Sequence, residues 1–182
     1  LKLILKGKAL GKSYEELLPK INLRAEELVG RRDLVVKALV AQDFDEAVSV
    51  LSGSEFFEQA SKAAAAYKEK KDLRLFDIYL DQVFYKTLDK AMKSESQDPD
   101  IKRVVSVDID SYNVLAVLRG KYWGLSSTDI NELIVTTTPK VTRETLQKLM
   151  NAEKMSEAAS ELGDTVYREI IPQNVSDDID II

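Results

Sequence analysis

At 182 residues, with 45% hydrophobic and 31% charged side chains, the chain has ordinary globular composition and enough length for one sizeable core or two small ones. It holds no cysteine and no histidine, which excludes disulfides, nearly all zinc sites and every imidazole-based acid–base step. The net charge of −5 argues against a dedicated nucleic-acid binder, and no apolar run approaches a membrane span or a secretory leader, so a soluble chain from a reducing compartment is expected.

In chain order, Leu1 to Leu10 reads as the last turns of a helix, loosened by Gly7 and Gly11. Ser13-Tyr14-Glu15-Glu16 is a capping-box pattern for a short helix that ends near Pro19. Leu34, Val35, Ala38 and Leu39 share a helical face, and Phe44, Ala47, Val48 and Leu51 form a second one stopped by Gly53. Ser54 is placed as the cap of a helix with the stripe Phe56, Phe57, Ala60, Ala64 and Tyr67, with Glu58 and Lys62 in favourable order on its outer side. Asp72 is expected to start a long helix with Leu73, Phe76, Leu80, Phe84 and Leu88 inward. Lys93 to Asp100 is the clearest linker.

Beyond it, Ile101, Val104, Val105, Asp108, Ile109, Tyr112, Leu115 and Leu118 give another long helix. A short one is capped by Ser126 and ends before Pro139, Thr142 to Met150 turns Leu146, Leu149 and Met150 inward, and Met155 to Leu162 stops at Gly163. Thr165 to Ile170 reads as a short helix broken by Pro172, and Ser176-Asp177-Asp178 as a cap at the sequence end. The spacing predicts an all-α protein.

The chain resembles itself. Leu5, Lys6, Gly7, Lys8, Gly11 and Ser13 fall on Leu118, Arg119, Gly120, Lys121, Gly124 and Ser126 at a constant offset of 113. Further on, Glu46, Ala47 and Leu51 fall on Glu157, Ala158 and Leu162 at 111, a drift that one loop difference explains. The pattern predicts two tandem helical-repeat domains, 1–93 and 94–182, the first lacking its start and the second its end.

Candidate chemistry is sparse. Gly7 to Ser13 after an alternating apolar run imitates a strand feeding a phosphate loop, with Val104 to Asp108 as a second strand ending in a metal-binding aspartate. The glycines are one residue too close, however, and the second copy has no lysine before Ser126. Asp108 and Asp110 point away from each other on a helix, and Asp177 and Asp178 sit where a cap is wanted. Tyr112, Trp123 and Tyr167 read as core or rim aromatics. Lys6, Lys8, Arg119 and Lys121 suit either a helix C-terminus or an interaction surface. Catalytic residues, cofactors, metals and small-molecule substrates are not expected.

Asp110-x-x-Asn113, an apolar stretch, then Leu118-Arg119-x-Lys121-x-x-Gly124-Leu125 resembles the recurring signature of the C subunit of A/V-type ATP synthases, similar in turn to the d subunit of the eukaryotic vacuolar ATPase. Leu73 to Leu88, with Asp81 and Phe84-Tyr85, resembles the long helix preceding each signature. The family usually carries three such units, and Ile134 to Pro139 stands where a Pro-Gly-rich loop is common. The resemblance implies a non-catalytic protein of the central stalk, coupling the membrane ion-translocating ring to the shaft and peripheral on the cytoplasmic face. Its partners would be rotor-ring and shaft subunits, with no nucleic acid and no direct membrane span. Lys6, Lys8, Arg119 and Lys121 would then make rim contacts, supported by buried Asp110 and Asn113. From the residues alone, the rival expectation is a generic helical-repeat adaptor.

Overall fold

The computed structural model describes residues 1–94, 98–136, 138, 140–165 and 167–170. Every regular element among them is helical, and the chain divides into two compact units, Leu1–Val83 and Phe84–Ile182. The expected features at Pro139, Pro172 and Ser176 to Asp178, and the centre of the linker at 95–97, lie outside the described residues.

The first unit begins with α1 (Lys2–Ala9), α2 (Tyr14–Leu17) with a 3-10 turn through Pro19, and α3 (Leu23–Leu28). It continues with α4 (Arg32–Val40), α5 (Phe44–Ser49), α6 (Phe57–Lys70) and the first part of α7 (Leu75–Ser94). Apolar positions picked out by helical spacing, Val35, Ala38, Leu39, Ala47, Leu51 and Ala60, are buried in its core, together with Ile4, Leu5 and Leu17. Phe44, Tyr67 and Phe76 meet edge-on or tilted, with centroids 5.6–5.8 Å apart. Helical spacing does not predict α3, because this helix buries no residue and so carries no apolar stripe; Asn22 caps it through a 3.0 Å bond from the Ala25 N–H.

The second unit holds the rest of α7, then α8 (Pro99–Tyr122), α9 (Ser127–Leu133), α10 (Arg143–Asn151), α11 (Met155–Glu161) and a 3-10 turn at Arg168–Ile170. Val114, Val117, Leu118, Ile130, Val141, Leu146, Leu149, Ala158 and Leu162 form its core. Asp98 caps α8 and Pro99 occupies its first turn, where a missing N–H costs nothing. Tyr85 of α7 stacks on Tyr112 of α8 at 4.3 Å.

Three expectations need correcting. Phe57 and Phe84 are exposed, because each sits just outside the arc its helix buries. The wider buried arc of α7 takes in Leu75, Phe76, Ile78, Tyr79, Leu80, Gln82 and Val83 instead. Ser54 is not the cap of α6. Its hydroxyl donates to the Leu51 carbonyl (2.6 Å) and accepts from the Phe56 N–H (3.3 Å), so it closes the preceding turn.

Candidate functional site: two basic glycine corners

The repeated motif forms a corner in each unit, where α1 or α8 stops and the next helix starts; Gly30, at φ +68°, ends α3 with the same bond pattern but lies outside the repeat. After α1, the Gly11 N–H donates to the Lys8 carbonyl (3.0 Å) and the Lys12 N–H to the Gly7 carbonyl (2.9 Å), with Gly11 at φ +70°. After α8, Gly124 donates to Lys121 (3.0 Å) and Leu125 to Gly120 (2.9 Å), with Gly124 at φ +66°. This is a glycine-terminated helix end in which the left-handed residue lets the last carbonyls find donors.

The other glycine of each pair serves packing. A Cβ at Gly7 would overlap Leu17 Cδ2, and one at Gly120 would stand 2.7 Å from Ile130 Cγ1. Leu17 and Ile130 are themselves 113 positions apart, and both are buried. The bare backbone of α1 and of α8 therefore admits the next helix at close range.

The serine after each corner caps that helix. Ser13 Oγ accepts from the Glu16 N–H (3.3 Å), and Glu16 accepts in return from the Ser13 N–H (2.9 Å). In the second corner Ser126 Oγ accepts from the Asp129 N–H (3.1 Å). Asp129, one methylene shorter than glutamate, accepts from the serine hydroxyl (2.7 Å).

The lysines have a use that sequence reasoning missed. Lys8 Nζ donates to the Ala41 carbonyl at 2.5 Å, and Lys121 Nζ donates to the Met150 carbonyl at 2.8 Å and to that of Ala152. Ala41 and Ala152 are the C-caps of α4 and α10, so each cation meets the negative end of a neighbouring helix and not that of its own. Burial lowers the Lys121 pKa, and the nearby Glu157 carboxylate works against that. Glu46 and Glu157 hold the chain just beyond these ends, accepting from the Gln42 N–H (2.6 Å) and the Glu153 N–H (2.9 Å). The recurrence of glutamate at offset 111 is the signal in the sequence that points to this.

Asp110 and Asn113 are buried, and they secure the stretch after α9. Asn113 accepts from the Val135 N–H (3.0 Å) and donates to the Thr136 carbonyl (2.7 Å), pairing with backbone as a neighbouring chain would. Thr138 donates to Asp110 Oδ2 (2.6 Å), while Oδ1 has no partner among the described residues. Burial raises the Asp110 pKa; the Thr138 hydrogen bond and the Lys140 charge oppose the rise.

The remaining two basic positions differ. Lys6 pairs with Asp77 of α7 at 2.5 Å, beside a Lys2–Asp81 pair at 2.6 Å. Arg119 is half-buried, with no carboxylate partner among the described residues. Among those residues no cluster of acidic side chains could hold a metal ion. The strand and phosphate loop that the sequence imitates are absent from their places, since Lys2–Ala9 is helix and Val104 to Asp108 lies inside α8.

Corners of this kind, with Lys8, Lys121, Glu46, Glu157 and Asn113 holding backbone, define a class of helical packing proteins whose polar groups join segment to segment. The chain belongs to the ATP synthase (C/AC39) subunit family, whose sequence model matches residues 1–181. It is 28% identical over 178 residues to the C subunit of the A-type ATP synthase of Methanocaldococcus jannaschii, covering 95% of this chain and 43% of that protein. It is 27% identical over 180 residues to the C subunit of the A-type ATP synthase of Methanothermobacter thermautotrophicus, covering 97% of this chain and 46% of the relative. The chain thus spans less than half the length of these relatives. No solved structure matches it significantly.

Proposed function

We propose that the chain is part of a non-catalytic protein of the central stalk, coupling the membrane ion-translocating ring to the shaft of an A/V-type ATP synthase. The observation that carries this reading is the family match along residues 1–181; the relatives named as C subunits of A-type ATP synthases point the same way. Force transmission needs helices that do not slide, and the lysine, glycine and serine contacts at both corners supply such fixation. On this reading the two stretches 1–93 and 94–182 are copies of one helical module. The partners are rotor-ring and shaft subunits, and attachment to the cytoplasmic face of the membrane is peripheral. No described helix is long and apolar enough to cross a membrane.

The corner geometry also bears on how partners would be met. Lys8 and Lys121 are turned to internal carbonyls and support the corners from within, whereas Asp110 and Asn113 hold the stretch after α9. Arg119, and the partly exposed Lys6–Asp77 pair, are better placed for rim contacts. The test is purification of the full-length protein from its own membranes after gentle solubilisation. Ring and shaft subunits should both accompany it. Recovery with neither, or with the catalytic head in a complex stripped of ring and shaft, would overturn the reading.

A further inference from the structure

The offset that relates the corners also relates what lies beside them. In the first unit, the face of α1 bearing Lys2 and Lys6 is covered by α7, which presents Asp81 and Asp77 four residues apart and in antiparallel order. At offset 113, Lys2 and Lys6 fall on Leu115 and Arg119 of α8. These two are only partly covered, and they open a longer stripe: Ile101, Val104, Asp108, Ser111, Leu115 and Arg119. At 100° per residue, the six fall within roughly 80° of one another around the helix. Ile101 is 49% exposed and Val104 67%; they lie on the first turns of α8, which bury no residue on any side before Ile109. Asp108 takes a 3.3 Å bond from the Tyr85 hydroxyl, and Ser111 shares a 3.0 Å bond with that of Tyr167.

We propose that this stripe of α8 is a docking surface for one antiparallel amphipathic helix of α7's chemistry, with a carboxylate set against Arg119 and apolar side chains against Leu115, Val104 and Ile101. Charge complementarity selects the occupant. The face that α7 already covers in the first unit carries two cations, and the helix over it answers with two aspartates. On α8 the first cation has become Leu115, so the occupant needs one acid opposite Arg119 and a longer apolar run. The spacing of 3 or 4 residues along the stripe is that of a helix-on-helix seam. This inference stands on the offset and on α8, and does not depend on the rotor reading.

The chain has no cysteine, so Val104→Cys provides a single reporter on an exposed position, with Ile101→Cys as a second. The probe is a synthetic peptide of residues 72–94, and the readout is the rate of maleimide labelling of the full chain. Labelling should be fast without peptide and slow as peptide is added. Arg119→Glu should raise the peptide concentration needed by about tenfold. A peptide carrying Asp77→Asn should lose a similar factor, whereas Lys6→Ala in the chain should leave protection at Val104→Cys unchanged. Slow labelling without peptide would mean that the face is already covered. Protection that grows with protein concentration alone would assign it to a second copy. Either result, or labelling that ignores the peptide at both reporter positions, would overturn the proposal.

Discussion

Lys8 and Lys121 are placed where an ammonium group gives up water, and such a group is tolerated only when its donors are met. The carbonyls they meet are the last ones of α4 and α10, which have no partner within their own helices. Replacement by methionine keeps the stem and removes the donors, leaving the carbonyls unanswered. Lys8→Met should therefore cost about 1–3 kcal/mol in urea unfolding, and Lys121→Met should cost more, since two carbonyls depend on it. Asp110 predicts a pH signature. Its pKa is raised by burial, so its contribution to stability is greatest while it is protonated and is lost as pH rises through the folded-state pKa. Asp110→Asn removes the buried charge and keeps an acceptor for Thr138. In thermal melts the variant should gain on the native chain at neutral pH, and the difference should shrink as pH falls into the carboxylate range. An advantage that grew toward acid would contradict the assignment.

At the scale of elements, the two glycines of each corner fail differently. Gly11 has open space around a Cβ but sits at φ +70°, so Gly11→Ala should cost about 1 kcal/mol from backbone strain alone, with Asn less harmful. Gly120 has ordinary helical backbone and no room, so Gly120→Ala should cost about 1–3 kcal/mol from overpacking. A double-mutant cycle with Ile130→Ala separates the two causes, because truncating Ile130 removes the atom a new methyl would strike. The paired costs should be clearly less than additive, whereas Gly11→Ala should add in full. The corners are legible in sequence because their requirements are local: a left-handed residue, a hydroxyl before a first turn, a small residue against a leucine or isoleucine. The lysine targets are not, since Ala41 and Ala152 lie 33 and 31 residues away and a carbonyl leaves no mark on composition. The reach of periodicity also limits what can be read of α3 and Phe84. A helix with no buried side gives no period, and a long stripe does not say where along it the covering stops.

For the whole molecule, the all-helical class follows from spacing, whereas the grouping of helices depends on contacts the sequence does not spell out. Each compact unit has its own closed set of buried side chains, Ile4, Leu17, Val35 and Leu39 in one and Leu118, Ile130, Leu146 and Leu149 in the other. Cores closed within a unit open locally, and local opening is what amide exchange reports. Gly120→Ala, acting through Ile130, should therefore speed exchange in α8, α9 and α10 while amides of α1, α4 and α5 keep their rates. Gly7→Ala, acting through Leu17, should do the reverse. An equal rise across both units from either substitution would mean that the chain unfolds as one cooperative body, and the module described by the repeated corners would then have no thermodynamic counterpart. The paired variants make the comparison internal, since the two substitutions insert the same methyl group at positions 113 residues apart.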